Sequence, residues 1–407
     1  MRYLFIVQGE GRGHMTQAIT LRNMLVQQGH EVVEVLVGTS PNRIIPEFFQ
    51  QKIKTNICTF SSPNFSPTPK NKRSSTIKSV LFNFPRLHLY LKSMLFIRDR
   101  IKLHQPDRVI NFYEVLGGLT YSFFGLTPPM ICIAHQYILM HKDFKFPNKR
   151  KSEIAGLLFF TRLTCLGAKK VLALSFGNFT NFDDGIFEVV PPLLREEVLN
   201  ATPTKGNFIL GYLLNPHFEQ EIRTWHQEHP EHALRFFWDN KLVRENVTTV
   251  DPTLSFHKLN DVEFINNMKS CKAYATTGGF ESICEALYLQ KPVLMVPAHI
   301  EQECNVVDAM NVGAGVNDTE FNLMNLIQFA PHYRPNYNFK NWTLGAEDTF
   351  LHLLTTPIAK SASIDRNYSY VWIKALFMDD MYINNESSFL ETVAKSQSGY
   401  DVSFVNS

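Results

Sequence analysis

The chain has 407 residues, 44% apolar and 19% charged, with a formal net charge of +2, a make-up that fits a globular protein long enough for two domains with a core each. No run approaches the roughly 20 apolar residues that span a bilayer, and MRYLFIV meets a glycine loop too soon for a secretory leader, so a cytoplasmic protein is expected. Cys58, Cys132, Cys165, Cys271, Cys284 and Cys304 have no CxxC spacing and read as reduced core residues.

Charge is unevenly placed. Residues 1–200 hold 25 Lys and Arg against 14 Asp and Glu, a balance of +11; residues 201–407 hold 15 against 24, a balance of −9. Domains with different electrostatic surroundings are expected, over residues 1–200 and 206–342, with a closing helix and tail over 343–407.

Tyr3 to Val7 reads as a buried strand, and GEGRGH follows with Gly9, Gly11, Gly13 and His14. Met15 to about Gln28 reads as a helix and Val32 to Val37 as a second strand. Such a start suggests a dinucleotide site. Three features weigh against it: the spacing is GxGxG, no acidic residue closes the second strand, and a histidine stands at the helix entrance. Read from its residue type alone, His14 is a histidine that caps the helix or meets solvent.

Residues 61–80, rich in Ser, Pro and Lys, read as an exposed mobile loop. Residues 80–102, VLFNFPRLHLYLKSMLFIRDRIK, read as one or two helices. They are either core-facing with basic groups reaching water, or a basic apolar surface that docks on an anionic membrane. The strand at 107–112 is followed by Tyr113-Glu114 and the strand at 129–134 by His135-Gln136. Both pairs sit where parallel α/β sheets place ligands. Glu114 either orients His14 or meets solvent, and His135 is a candidate for acceptor contact. A basic loop at 142–151, a strand at 171–176 and a closing segment at 188–194 follow, with Pro191-Pro192 as the hinge into a linker that ends near Lys205.

The second half repeats the pattern: a strand from Asn207 to Leu214, a helix from Glu219 to Gln227, a strand from Leu234 to Trp238, a short strand and loop at Ser255–Lys258, and a helix from Asp261 to Met268. The stretch from Tyr274 to Asn305 carries the chemistry. A strand, Ala273 to Thr277, breaks at Gly278-Gly279; a helix from about Glu281 to Leu289 stops at Lys291-Pro292; Val293 to Val296 is a buried strand. The helix amino end is a ready anion site, glycines let the backbone approach a phosphate, and Ser282 adds a hydroxyl. Glu285 lies about one turn further on, within reach of a ribose hydroxyl. Glu301-Gln302, a carboxylate beside an amide, suits sugar hydroxyls.

This stretch resembles the donor-binding signature of GT-B glycosyltransferases, which include the UDP-glycosyltransferases and the peptidoglycan lipid-intermediate N-acetylglucosaminyltransferase. The resemblance implies an α/β fold of the GT-B type, two Rossmann-like domains facing across a cleft. It places Thr277, Gly278, Gly279 and Ser282 at the donor diphosphate, Phe280 within the donor site, Glu285 on the ribose, Glu301 and Gln302 on the donor hexose, and Phe256 and His257 against the uracil. Thr277 stands where plant-type members have a phosphate-binding histidine, so more of the diphosphate would fall to backbone amides. The amino-terminal loop resembles the glycine-His loop of the same enzymes. It matches His14 to the general base; Gly13 is expected at the donor and Gly11 and His135 at the acceptor, with Glu114 as the candidate carboxylate for His14. Relatives often carry that acid two residues earlier, where this chain has Phe112.

The function so implied is inverting, metal-independent transfer of a sugar from a nucleotide sugar, by default UDP-linked, to an acceptor hydroxyl. The UDP-sugar is a co-substrate; no cofactor, metal or nucleic-acid partner is expected, since neither a DxD motif nor a nucleic-acid module is present. Asp183-Asp184 and Asp379-Asp380 read as surface charge. The basic set Lys70, Lys72, Arg73, Lys78, Arg86, Lys92, Arg98 and Arg100 is interleaved with Leu81, Phe82, Phe84, Leu89, Leu91, Leu95 and Phe96. From it a lipid-linked or membrane-presented acceptor is expected, with peripheral attachment to the inner face of the membrane. Two other classes stay open: a UDP-sugar 2-epimerase of the same fold, and a nucleotide-sugar-binding protein without catalysis.

Overall fold

Five consecutive residues without solvent contact, Tyr3 to Val7, form the centre of the first strand, the mark of a parallel sheet covered on both faces. The computed structural model describes residues 1–40, 43–63, 86–179, 185–213, 218–240 and 243–358. All of these fall within one unit, Met1–Ile364.

The first half runs β1 (Arg2–Gln8), α1 (Arg12–Gln27), β2 (Glu31–Thr39), α2 (Glu47–Ile53), β3 (Ile57–Ser61), α3 (Leu87–His104), β4 (Arg108–Phe112), α4 (Val115–Phe124) and β5 (Met130–Ala134). A 3-10 turn (His135–Met140), α5 (Lys151–Thr164), β6 (Lys170–Leu174) and β7 (Phe187–Val190) complete it. Its sheet is parallel throughout, in the order β3-β2-β1-β4-β5-β6-β7. The short helix α6 (Glu196–Leu199) lies in the linker.

The second half runs β8 (Phe208–Leu213), α7 (Glu219–Glu228), β9 (Ala233–Trp238), β10 (Val247–Thr249), β11 (Leu254–Lys258), α8 (Asp261–Ser270), β12 (Ala273–Thr276) and α9 (Phe280–Tyr288). Then come β13 (Val293–Met295), α10 (Ile300–Asn311), β14 (Gly315–Asn317), α11 (Leu323–Phe329), α12 (Tyr337–Leu344) and α13 (Ala346–Thr355). Its sheet has the order β10-β11-β9-β8-β12-β13-β14, parallel except for β10 against β11. Both halves are Rossmann-like. The strand order reverses between β1 and β4 in one and between β8 and β12 in the other, and doubly wound sheets bind ligands at such switch points.

The last helix ties the chain back to its beginning. The Tyr3 hydroxyl donates to the Leu354 carbonyl at 2.9 Å, and Arg108 donates to the carbonyls of Leu353 and Thr356. One apolar core runs without a break from Tyr3 and Phe5 through Leu193 and Leu194 to Ile283, Leu287 and Phe350.

Several elements differ from the sequence expectation. α1 begins at Arg12 rather than Met15, because Gly11 already has the extended geometry of a helix cap (φ −98°, ψ 143°). Of the residues read as the start of a mobile loop, Ser61 ends β3 paired with β2, and the Ser62 amide just beyond it donates to the Thr39 carbonyl at 3.0 Å. Residues 64–80 of that loop, Leu81, Phe82, Phe84, both Asp pairs and the tail from 359 lie outside the described residues. The α3 segment faces the core on one side and leaves apolar side chains exposed on the other. Tyr90, Ser93, Met94, Ile97 and Ile101 are buried, while Leu87, Leu91 and Leu95 are 57%, 50% and 41% exposed. Arg100 does not belong to the exposed basic set: it bonds the fully buried Glu34 through two nitrogens. Among the described residues no helix is long and apolar enough to cross a membrane.

Candidate active site

The loops after β1, β4 and β5 meet the loops after β12 and β13, so the switch points of the two sheets come together. His14 sits in the first turn of α1 and is 8% exposed. Its Nδ1 lies 3.4 Å from the Gln17 Oε1 and its Nε2 3.5 Å from the Gln136 amide nitrogen. An amide oxygen only accepts, so these contacts match a proton on Nδ1 and a lone pair on Nε2. Burial lowers the His14 pKa, and the Glu301 carboxylate from the second half opposes that shift. Gln136 also donates to Glu301 at 2.9 Å, which links the histidine to that carboxylate through one amide. The Tyr113 ring stacks on the imidazole with centroids 5.4 Å apart. Tyr113 has a left-handed backbone (φ 60°), an unfavourable geometry for a side-chain-bearing residue and one common at functional sites.

Glu114 does not supply the expected carboxylate to His14, nor does it meet solvent. It is fully buried, accepts from the Ser62 hydroxyl at 2.6 Å and caps α4 by accepting from the Leu116 amide at 3.1 Å. Asn111 fixes its backbone on both sides. Burial pushes its pKa up to about 7, against those hydrogen bonds. The side-chain oxygen of Gln17 stands beside His14 Nδ1 instead. Three residues on from His14 along one helix, Gln17 could have been noticed by its spacing.

The donor stretch folds as a strand, a turn and a helix. Gly278 has φ +89°, a conformation that a side chain would strain, and it turns the chain from β12 into α9. Gly279 is the cap of α9, with no side-chain partner for the first amides. Ser282 spends its hydroxyl within the helix, on the Gly279 carbonyl at 3.2 Å, and the Asn305 amide holds the Gly278 carbonyl at 3.1 Å. Thr277 is buried, and Gln302 braces it: the Gln302 Nε2 donates to the Thr277 hydroxyl at 3.4 Å, and Oε1 accepts from the Ala298 amide at 2.9 Å. Both polar ends of Gln302, expected on the hexose, are thus used inside the second half. Glu301 stays half-exposed in the first turn of α10.

Glu285, expected on the ribose, is 2% exposed and forms an ion pair with Arg195 of the linker at 2.6 Å. Phe256, expected against the base, is fully buried and stacks on Trp238 (4.7 Å), where no ligand can reach its ring. His257 is half-buried, lies over Phe237 and bonds the Ser255 hydroxyl at 2.9 Å. His135 is no open acceptor contact. Its ring stacks on Phe280 at 3.7 Å, Nδ1 donates to the Leu174 carbonyl at 2.8 Å, and burial lowers its pKa to about 4. Gly11 stays in the loop, its amide donating to the Gln8 side chain at 3.3 Å.

Glu281 carries a signal that sequence reading passed over. It follows Phe280 at the start of α9, accepts from Gln17 Nε2 at 2.5 Å and keeps its Oε2 buried without a hydrogen-bond partner. Burial pushes its pKa up to about 8. Gly13 makes room for it: a Cβ on Gly13 would lie 3.1 Å from the Glu281 Cγ. Other contacts across the halves follow the same polarity, first-half donor to second-half carboxylate: Arg12 to Asp261 at 3.1 Å and Arg150 to Glu303 at 2.5 Å. The +11 and −9 balances thus meet in part as pairs across the interface. A groove of about 380 Å³ opens on the other flank of α1, beside Thr16, Thr20, Phe48, Lys52, Arg195 and Glu197, and none of the expected site residues lines it.

Two Rossmann-like sheets whose switch points meet at a glycine-led helix define a GT-B glycosyltransferase. The chain belongs to glycosyl transferase family 1, whose model matches residues 1–332. No curated protein matches it. Among solved structures it is similar to the glycotransferase of kitacinnamycin (14% identity, 86% of this chain and 99% of that one, TM-score 0.57). It is also similar to the calicheamicin glycosyltransferase CalG4 (14%, 88% and 100%, TM-score 0.56) and to Acinetobacter baumannii MurG (15%, 86% and 98%, TM-score 0.52). At such identities the likeness is one of fold.

Proposed function

We propose that this glycosyltransferase moves a sugar from a UDP-linked donor to an acceptor hydroxyl, with inversion at the anomeric carbon and without a metal. The observation that carries this reading is the placement of His14: buried, with its pKa lowered by that burial, its Nε2 beside Gln136, which also binds Glu301, at the junction with the amino end of α9. In this reading the free amides of α9 take the charge of the departing diphosphate. His14 accepts the acceptor's hydroxyl proton as that oxygen attacks the anomeric carbon opposite the leaving group. The Glu301 carboxylate favours the imidazolium so formed. A UDP donor is in keeping with Phytolacca americana UGT2, of the same fold (13% identity, 86% of this chain and 96% of that one, TM-score 0.56), whose structure is a complex with UDP-2-fluoroglucose and pterostilbene.

The acceptor in this reading is lipid-linked or presented at a membrane. The exposed row Leu87, Leu91 and Leu95, with Lys92 between, supports it, as does the +11 balance of the first half. A few inserted leucines plus about 1 kcal/mol per basic residue near anionic lipid suffice for reversible docking. Labelled nucleotide sugars, with and without lipid extract, test the activity. His14→Ala should retain nucleotide affinity and lose roughly 10²–10⁴-fold in turnover. Near-normal turnover in that variant would put the base elsewhere.

A further inference from the structure

We propose that Gln17 and Glu281 are positioning residues that hold the His14 imidazole in its Nδ1–H tautomer while the two halves are docked. The proposal rests on the reading of His14 as the base and deepens it. The logic is one of donor and acceptor polarity. A carboxyl oxygen bound by an amide nitrogen accepts, so Glu281 Oε1, 2.5 Å from Gln17 Nε2, turns the nitrogen of that amide toward the second half. The amide oxygen must then face the other way, toward His14 Nδ1 at 3.4 Å. That oxygen cannot donate, so the imidazole proton sits on Nδ1 and the lone pair on Nε2, the atom that faces Gln136 and Glu301.

Gln17 is 2% exposed and Glu281 reaches it over Gly13, which has no side chain to block the approach. With the halves apart, nothing across the interface orients the Gln17 amide. It can then rotate and offer its nitrogen to Nδ1, which selects the Nε2–H form. In that form the proton occupies the lone pair that the acceptor hydroxyl needs. Assembly of the base is thereby coupled to docking of the donor-binding half.

The test reads the tautomer directly, without substrate, from long-range proton–nitrogen correlations in full-length protein carrying ¹⁵N-histidine. The His14 signal is assigned by its loss in His14→Asn. Wild-type protein should show His14 as the neutral Nδ1–H form. Gln17→Met, similar in shape but without the amide, should show a mixture of tautomers. Its kcat should fall roughly 10–100-fold, part of what a positioned base contributes, with the donor KM unchanged. A wild-type His14 in the Nε2–H form overturns the proposal whether or not Gln17→Met folds. So does a folded Gln17→Met that keeps the Nδ1–H form and normal kcat. Retained turnover in His14→Ala would instead strike the base assignment alone, since the tautomer is measured independently of activity.

Discussion

Replacing Glu281 by glutamine tests the docked arrangement through stability rather than catalysis. The Glu281 carboxyl lies between the halves, with Gln17 on one oxygen and the other oxygen buried without a partner. Burial raises its pKa most, the Gln17 hydrogen bond lowers it, Glu285 raises it and Arg195 lowers it, and the outcome is about 8 against 4.5 for the free side chain. Between those values the folded protein holds the extra proton, so stability falls as pH rises from 4.5 to 8 and levels off above. Each pH unit within the window is worth about 1.4 kcal/mol. The residue is partly exposed, so about 2 kcal/mol between pH 6 and 8 is the expected loss. With about 2.1 cal/mol/K of unfolding entropy per residue, that loss lowers the Tm of this 407-residue chain by about 2 °C. Glu114 and Asp308, both raised to about 7 by burial, act in the same direction over the lower part of the window. Burial lowers the pKa of His14 and His135, so their contribution has the opposite sign and is complete above 6.5. Glutamine at 281 keeps an oxygen for Gln17 and cannot ionise. Thermal melts of wild type and Glu281→Gln from pH 6 to 8 should therefore diverge, the wild type alone losing the extra 2 °C. Parallel curves would refute the buried carboxyl.

Three further outcomes follow from the same geometry. Arg195→Met should destabilise the protein by about 3–5 kcal/mol in denaturant titrations, the cost of leaving a buried carboxylate without its partner; a loss under about 1 kcal/mol would remove the pair from the structural account. Glu285→Ala should weaken UDP binding by about 1.5–3 kcal/mol in calorimetry, as for a hydrogen bond to a charged group, and unchanged affinity in a folded variant would end the ribose assignment. Wild-type protein should float with anionic vesicles at low salt and less at high salt, and Leu91→Glu combined with Leu95→Glu should stop flotation. A wild type that never floats leaves a soluble acceptor.

The sequence by itself determined the two α/β halves, their strand and glycine turns, and the helix at 280–288, because these signals are local. Five buried residues in a row make β1, and two glycines between an apolar run and an amphipathic one make the turn into α9. It also exposed the opposite charge of the halves. It missed α4 as an element, since VLGGLTYSFF has no clear helical period and places two glycines inside the helix. Side-chain partners were decided only by tertiary structure. The Phe256 ring points into the core and His257 away from it, a parity set by how β11 pairs with β9 and β10. Glu285 finds Arg195 ninety residues away, and Gln17 finds Glu281 across 264. Such pairs are distant in the chain and arise where two separately built sheets close on each other. Spacing along the sequence carries no signal for a hydrogen bond whose donor and acceptor are brought together by the packing of the halves.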